Sequence, residues 1–151
     1  RDSQQLEEGG GEVFSGLWLP GSDKSDYTVR NLVGVDADHD IFAINDYMIE
    51  GNEILFCRRN EQTAIDDMQH MLDNIAGRLK RLKQKPNDNI IKGGIYVSCL
   101  GRGREQFGDD SEEIKMIHKT LGDFPLTGFF ANGEIHHNKL YGYTGVLTLF
   151  T

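Results

Sequence analysis

Up to Arg59 the chain is a succession of short apolar stretches broken by turn residues, and beyond it the hydrophobic period changes from two to about 3.6. The first stretch is Val13–Leu19, ending at Pro20-Gly21, with a loop of Gly, Ser, Asp and Lys over residues 21–26. Tyr27–Asp36, Ile41–Asn45 and Glu53–Arg59 follow, separated by Asp36–Asp40 and by Glu50-Gly51-Asn52. Strand-length runs joined by short polar turns predict an antiparallel meander. Then Ala64, Ile65, Met68, Met71, Leu72, Ile75, Leu79 and Leu82 recur at spacings of three and four, which predicts a long amphipathic helix. Asn60 is placed to cap it. Acidic residues gather near its start and Arg78, Lys80, Arg81 and Lys83 near its end, as the helix dipole favours, and Pro86 forbids continuation.

The second half alternates. Gly94–Cys99 reads as a buried strand, followed by a glycine-rich loop. A second helix carries Ile114, Ile117 and Leu121, starts with Asp110 and Glu113 as a capping-box-like pair, and ends at Gly122. Pro125–Ala131 is a strand, Gly133–Lys139 a turn region and Leu140–Phe150 a final strand. The expected fold is therefore α+β (mixed α/β): one mixed, largely antiparallel sheet of about six to seven strands with two helices on one face. Residues 1–11, polar and then triple glycine, read as a linker or disordered start, and 12–151 as one domain. That run and the missing initiator methionine lead us to expect a fragment of something longer.

Charge and composition exclude several functions. Sixteen Lys+Arg against 24 Asp+Glu give a net charge of −8, the opposite of what a nucleic-acid or anionic-membrane surface requires. No apolar run approaches the length of a membrane span, and Arg1–Glu8 lacks a signal-peptide core. Cys57 and Cys99 form no CxxC, so a disulfide scaffold and a zinc knuckle are both poor fits, and a reduced, cytoplasmic setting is the simplest reading.

The strongest chemical signal is Cys99-Leu-Gly101-Arg102-Gly103-Arg104, between a strand and a helix. Strand ends of this kind are where α/β sheets place ligand crevices. Two glycines two apart let successive N–H groups point one way, and the Arg102 fork suits a carboxylate or phosphate. The spacing is neither a dinucleotide fingerprint nor a P-loop. The plain structural reading is a tight turn with Arg102 in an internal ion pair. A second signal is Asn132-Gly133-Glu134-Ile135, a turn whose glutamate is flanked by apolar residues. Such a carboxylate needs a partner or shifts its pKa. Arg102 is one candidate partner; alternatively Glu134 holds a ligand ammonium, and Arg102 with Glu134 in one crevice would then suit an amino acid or similar zwitterion.

Cys99 reads as an inert buried thiol, with a ligand contact as the functional alternative and a nucleophilic role requiring a histidine base. A parallel crossover between strands 53–59 and 94–99 would put Cys57 at the same sheet edge. His136 and His137 are a candidate metal or haem pair, although adjacent strand residues point to opposite faces. Otherwise no cofactor is expected. Asp36–Asp40 is an acidic turn lacking the glycine and closing glutamate of a calcium loop.

Taken together, Cys99-x-Gly-Arg-Gly103, Phe107-Gly108, Pro125-Leu126-x-Gly128-Phe129-Phe130, Gly133-Glu134-Ile135 and Gly142-x-Thr144-Gly145-x-Leu147 resemble the C-terminal FIST domain family. Leu32–Asp36 and the Ile49-Glu50-Gly51 turn fit as well, and the resemblance covers about residues 12–150. It implies an intracellular sensory domain that works with a sister N-terminal FIST domain, often beside histidine kinase, chemoreceptor or F-box modules. It also implies small-molecule ligands such as amino acids, no established enzyme activity, and Cys99, Gly101, Arg102, Gly103, Gly133 and Glu134 as signature residues. Some members of the wider family resemble haem-based nitric oxide sensors. The expected function is thus a small-molecule-binding sensory domain, with Asn132 added to those residues as its ligand site. The alternative is a protein-interaction half-domain whose open sheet face, carrying Phe42, Phe56, Tyr96, Phe129 and Tyr143, packs on a sister domain or a second copy.

Overall fold

The computed structural model describes residues 13–18, 27–82, 90–110 and 112–151. The expected linker at 1–11 and the loop at 21–26 lie outside the described residues. The chain forms two compact units, the first ending at Arg59 and the second beginning at Asn60.

The first unit holds β1 (Val13–Trp18), β2 (Tyr27–Asp36), β3 (Ile41–Ile44) and β4 (Ile54–Arg58) in one antiparallel sheet of order β3-β2-β1-β4. This corrects the simple meander: β4 returns to pair with β1 instead of β3. Four consecutive residues of β1, Phe14–Leu17, are buried, so this strand needs a neighbour on each side. Gly16 permits the packing, since a Cβ there would stand 2.8 Å from the Leu55 side chain. The Ser15 hydroxyl donates to the Arg30 carbonyl (3.0 Å), and the Phe42 and Phe56 rings meet edge-on with centroids 5.3 Å apart.

The second unit opens with α1 (Glu61–Leu82), whose start is capped as the sequence suggests: the Thr63 amide donates to Asn60 Oδ1 at 3.0 Å. β5 (Gly93–Cys99) is the centre of a three-stranded sheet, parallel to β6 (Leu126–Ala131) and antiparallel to β9 (Gly145–Phe150). Between β5 and β6 run the short α2 (Gly103–Phe107) and α3 (Glu112–Leu121). β7 (Glu134–His136) and β8 (Lys139–Tyr141) form a separate hairpin. The helices lie on one sheet face. There Met68 and Leu72 of α1, Phe107 of α2 and Ile117 of α3 close over Tyr96, with Ile91 and Phe124 completing the core. Register explains which residues look inward: Tyr96 is flanked by Gly128 and Leu147. A Cβ at Gly128 would collide with the Tyr96 carbonyl, and one at Gly145 would stand 2.5 Å from the Tyr96 hydroxyl.

The α+β class and the helices on one face are as expected, but the sheet is divided into pieces of four, three and two strands. β4 and β5 belong to different pieces, so the parallel crossover that would align Cys57 with Cys99 does not exist. The glycine-rich loop contains a turn of helix, α2. The expected strand 140–150 breaks at Gly142–Thr144, where Tyr143 adopts a positive φ of 60° and its ring lies against Gly101.

Candidate functional site

The site is built where β5 ends. Tyr96 and Ser98 alternate onto the helix-facing side of β5, and α3 brings Glu113 down onto them. Glu113 is 5% exposed, and its Oε1 accepts the Tyr96 hydroxyl at 2.6 Å and the Ser98 hydroxyl at 3.2 Å. Oε1 also accepts a hydrogen bond from Arg102 Nε at 3.0 Å and is in ion-pair contact with Arg102 Nη2 at 2.9 Å. Oε2 accepts the Ser98 hydroxyl at 3.1 Å.

Arg102 reaches Glu113 because the chain turns just after β5: its amide donates to the Cys99 carbonyl at 2.9 Å. Its guanidinium lies 4.8 Å from the centre of the Phe107 ring, with Nη2 4.0 Å from Met68 Sδ. One side chain thus ties α1, α2 and α3 to the end of β5. Burial pushes the Tyr96 phenol far above its ordinary pKa, with the Arg102 charge opposing and Glu113 reinforcing the shift. Tyr96 therefore serves as a proton donor in a hydrogen bond.

A crevice of about 400 Å³ opens over this network, walled by Phe107 and Phe130 and floored by Tyr96, Ser98 and Glu113. It runs along the parallel pair β5 and β6, from Leu126 to Phe130 on β6, beneath α2 and α3. Phe129 and Phe130 are 66% and 55% exposed. Arg104, Asp109 and Glu112 also line it. Arg104 is paired with Asp109, and Glu112 with Lys115 at 2.8 Å.

Glu134 lies beside this network at the start of β7. It is 2% exposed; Oε2 accepts the Thr144 hydroxyl at 2.8 Å, and Oε1 is buried without a hydrogen-bond partner. Desolvation raises its pKa above the usual glutamate value. The Thr144 hydroxyl and backbone N–H and the Arg102 charge pull the other way, while the Glu113 charge adds to the rise.

Of the expected site residues, Gly103 lines the crevice, and its positive φ of 34° lets the chain pass under the Phe130 ring. Arg102 stands behind the floor, committed to Glu113 instead of Glu134. Cys99 is buried, and Gly101 packs under Tyr143. Asn132 is exposed in the turn before Glu134, and Gly133 has a φ of 154° that suits a residue without Cβ. His136 and His137 sit exposed at the tip of the β7–β8 hairpin, their rings 4.2 Å apart. Among the described residues no group of three or more His, Cys, Asp or Glu is arranged to hold a metal ion, and no helix is long and apolar enough to cross a membrane. Tyr96 is a core residue on the helix side, not part of an open face.

Sequence reasoning missed Tyr96, Ser98 and Glu113 as a unit. Two signals were available. Strand alternation puts Tyr96 and Ser98 on one side, and Glu113 lies four residues before Ile117 on the inward stripe of α3. Glu113 is an interior ligand of Arg102, which overrides its reading as a capping-box residue.

Comparison with known proteins agrees with this architecture's motifs. The FIST C domain profile matches residues 3–137. Uncharacterized proteins of Mycobacterium tuberculosis strains CDC 1551 and H37Rv are each 33% identical over 138 residues, which is 89% of this chain and 33% of theirs. An uncharacterized protein of Mycobacterium bovis is 31% identical over 138 residues, with the same coverage. The chain thus spans about a third of the length of the curated relatives it matches. No solved structure matches it. The chain belongs to the FIST C domain family, a family of signal-transduction sensory domains.

Proposed function

We propose that this domain senses a small molecule of amino-acid size, bound in the crevice over Glu113. The observation that carries the reading is the crevice itself: about 400 Å³, with aromatic walls and a polar floor of Tyr96, Ser98 and Glu113. That combination suits a ligand with an apolar body and one polar end. Amino acids and similar small carboxylates have this form; a carboxylate would meet Arg104 at the mouth, because Arg102 is already held by Glu113. The domain acts as part of a longer sensory chain, with a sister domain supplying what the other two thirds of the relatives contain.

The test is a thermal-shift panel of the twenty amino acids and a set of small carboxylates. A ligand at a hundred times its Kd stabilises by about 2.7 kcal/mol. For a domain of this size that is a rise in Tm of about 5–10 °C. The rise should vanish in Phe130→Ala. A flat panel with a folded protein would remove the reading.

A second reading has its own observation. Phe129, Ile95 and Phe150 are exposed on β6, β5 and β9, and their register places them on the sheet face away from the helices. Such a face suits a sister domain or a second copy. Light scattering on the isolated chain, with and without Phe129→Ser, tests self-association, and a strict monomer at high concentration argues against it.

A further inference from the structure

We propose that the crevice selects its ligand by a positively charged head, an ammonium group seated on Oε2 of Glu113. This rests on the crevice being the ligand site and specifies the chemical class it takes.

Glu113 is 5% exposed and is paired with Arg102, whose side chain is 15% exposed. Arg102 Nε and Nη2 both lie against a single oxygen, Oε1 of Glu113, which also accepts the Tyr96 hydroxyl and shares the one Ser98 hydroxyl hydrogen with Oε2. Among the described residues, Oε2 has the Ser98 hydroxyl as its donor, and Oε1 of Glu134 has none. One oxygen of Glu113 is therefore crowded and the other has capacity, on a residue that lines the crevice. An ammonium group there would give Glu113 a cationic donor on its less-used oxygen.

The walls point the same way. The ring of Phe130, paired with Ser98 and so on the helix side of the sheet, attracts a cation and accommodates an apolar body. An anionic head at the floor would instead meet Glu113, with Asp109 and Glu112 also lining the space and Arg104 already paired. For a zwitterionic amino acid the ammonium is thus the end that goes in and the carboxylate the end that stays at the mouth.

Three phenyl probes of matched size separate the possibilities: 2-phenylethylammonium, 2-phenylethanol and 3-phenylpropionate. Each is titrated into the 15N-labelled chain and followed at the Ser98, Gly103 and Glu113 amides. The expected order is ammonium at least about tenfold tighter than alcohol, and propionate weakest. Glu113→Gln is expected to abolish the advantage of the ammonium over the alcohol. Propionate binding as tightly as the ammonium, or a preference that survives Glu113→Gln, overturns the proposal. If the alcohol binds and the ammonium gains nothing, the ammonium seat fails while the crevice stands as a ligand site. If no probe moves these amides, both fail. Should Glu113→Gln not fold, the order of the three probes on the unmodified chain still decides.

Discussion

At the scale of single residues, Arg102 and Arg104 stand two apart in one loop, yet their surroundings make them opposites. The Arg102 side chain is 15% exposed and is hydrogen-bonded and ion-paired to a buried carboxylate; that of Arg104 is 77% exposed and pairs with Asp109 at the surface. Removing one member of a buried pair strands the other, at a cost of about 3–5 kcal/mol, whereas an exposed pair contributes about 0–1 kcal/mol. Arg102→Ala is therefore expected to lower unfolding free energy in urea by about 3 kcal/mol, and Arg104→Ala by less than about 1 kcal/mol. Equal effects would mean that the Glu113 network adds no stability. Glu134 makes a separate prediction in pH. Its pKa is raised in the folded state, so between the ordinary glutamate value and the raised one the folded chain holds a proton that the unfolded chain has lost. Its contribution to stability is greatest below the ordinary glutamate pKa and declines as pH rises through the folded value. Glu134→Gln removes that dependence, and the Tm of the variant relative to the parent should increase as pH rises above the ordinary glutamate value of about 4.3. A difference that is flat or falls with pH would show that the carboxyl is not held in its protonated form. Neither residue's partner can be read from spacing. Sequence shows that Arg102 and Glu134 need partners; that α3 supplies one for Arg102 depends on the crossing of three elements at Phe107 and Met68.

At the scale of elements, legibility follows how local the cause is. α1 can be read from its period, cap and charge gradient because each acts within a turn or two of helix. The strands of the first unit are legible for a similar reason, their turns being chemically marked. β7 and β8 are harder: Ile135 and Leu140 are exposed, so the hairpin has no buried alternation, and it is set by Gly133 and by His137 at a φ of 52°. β4 pairing with β1 is invisible locally, since only the burial of β1 demands it. The core of the second unit gives the corresponding prediction. Leu72 and Ile117 are fully buried on different helices against one sheet face. Leu72→Ala and Ile117→Ala should each destabilise by about 2–5 kcal/mol, and Asn60→Ala, which removes a cap, by about 1 kcal/mol. Calorimetry on the three variants checks the ranking, and an Asn60 effect as large as the core effects would mean that helix initiation limits stability.

At the scale of the whole molecule, burial is unevenly distributed along the chain, and that bears on what a sensory domain can do. In the first unit, β1 is buried over four residues, but β2 beyond Leu32 and β3 form a ribbon with Val33, Val35, Ile41 and Phe42 exposed and a register shift between Leu32 and Gly34. In the second unit, β5 is paired on both edges and covered by helices on one face. Local opening needs least free energy where few apolar contacts must be broken. Amide hydrogen exchange is therefore expected to be slowest in β5 and the middle of α1, and fastest, among strand residues, in the β2–β3 ribbon and the β7–β8 hairpin. The crevice lies at the boundary between these regimes: its floor on β5 belongs to the slow class, while at its mouth Asp109 is exposed and Glu112 half-buried. A ligand bound there should slow exchange in α2 and at the start of α3 much more than in β5, which has little left to gain. Ligand-induced protection confined to β5 would place the binding event elsewhere, because a site roofed by a five-residue helix must order that helix when it fills.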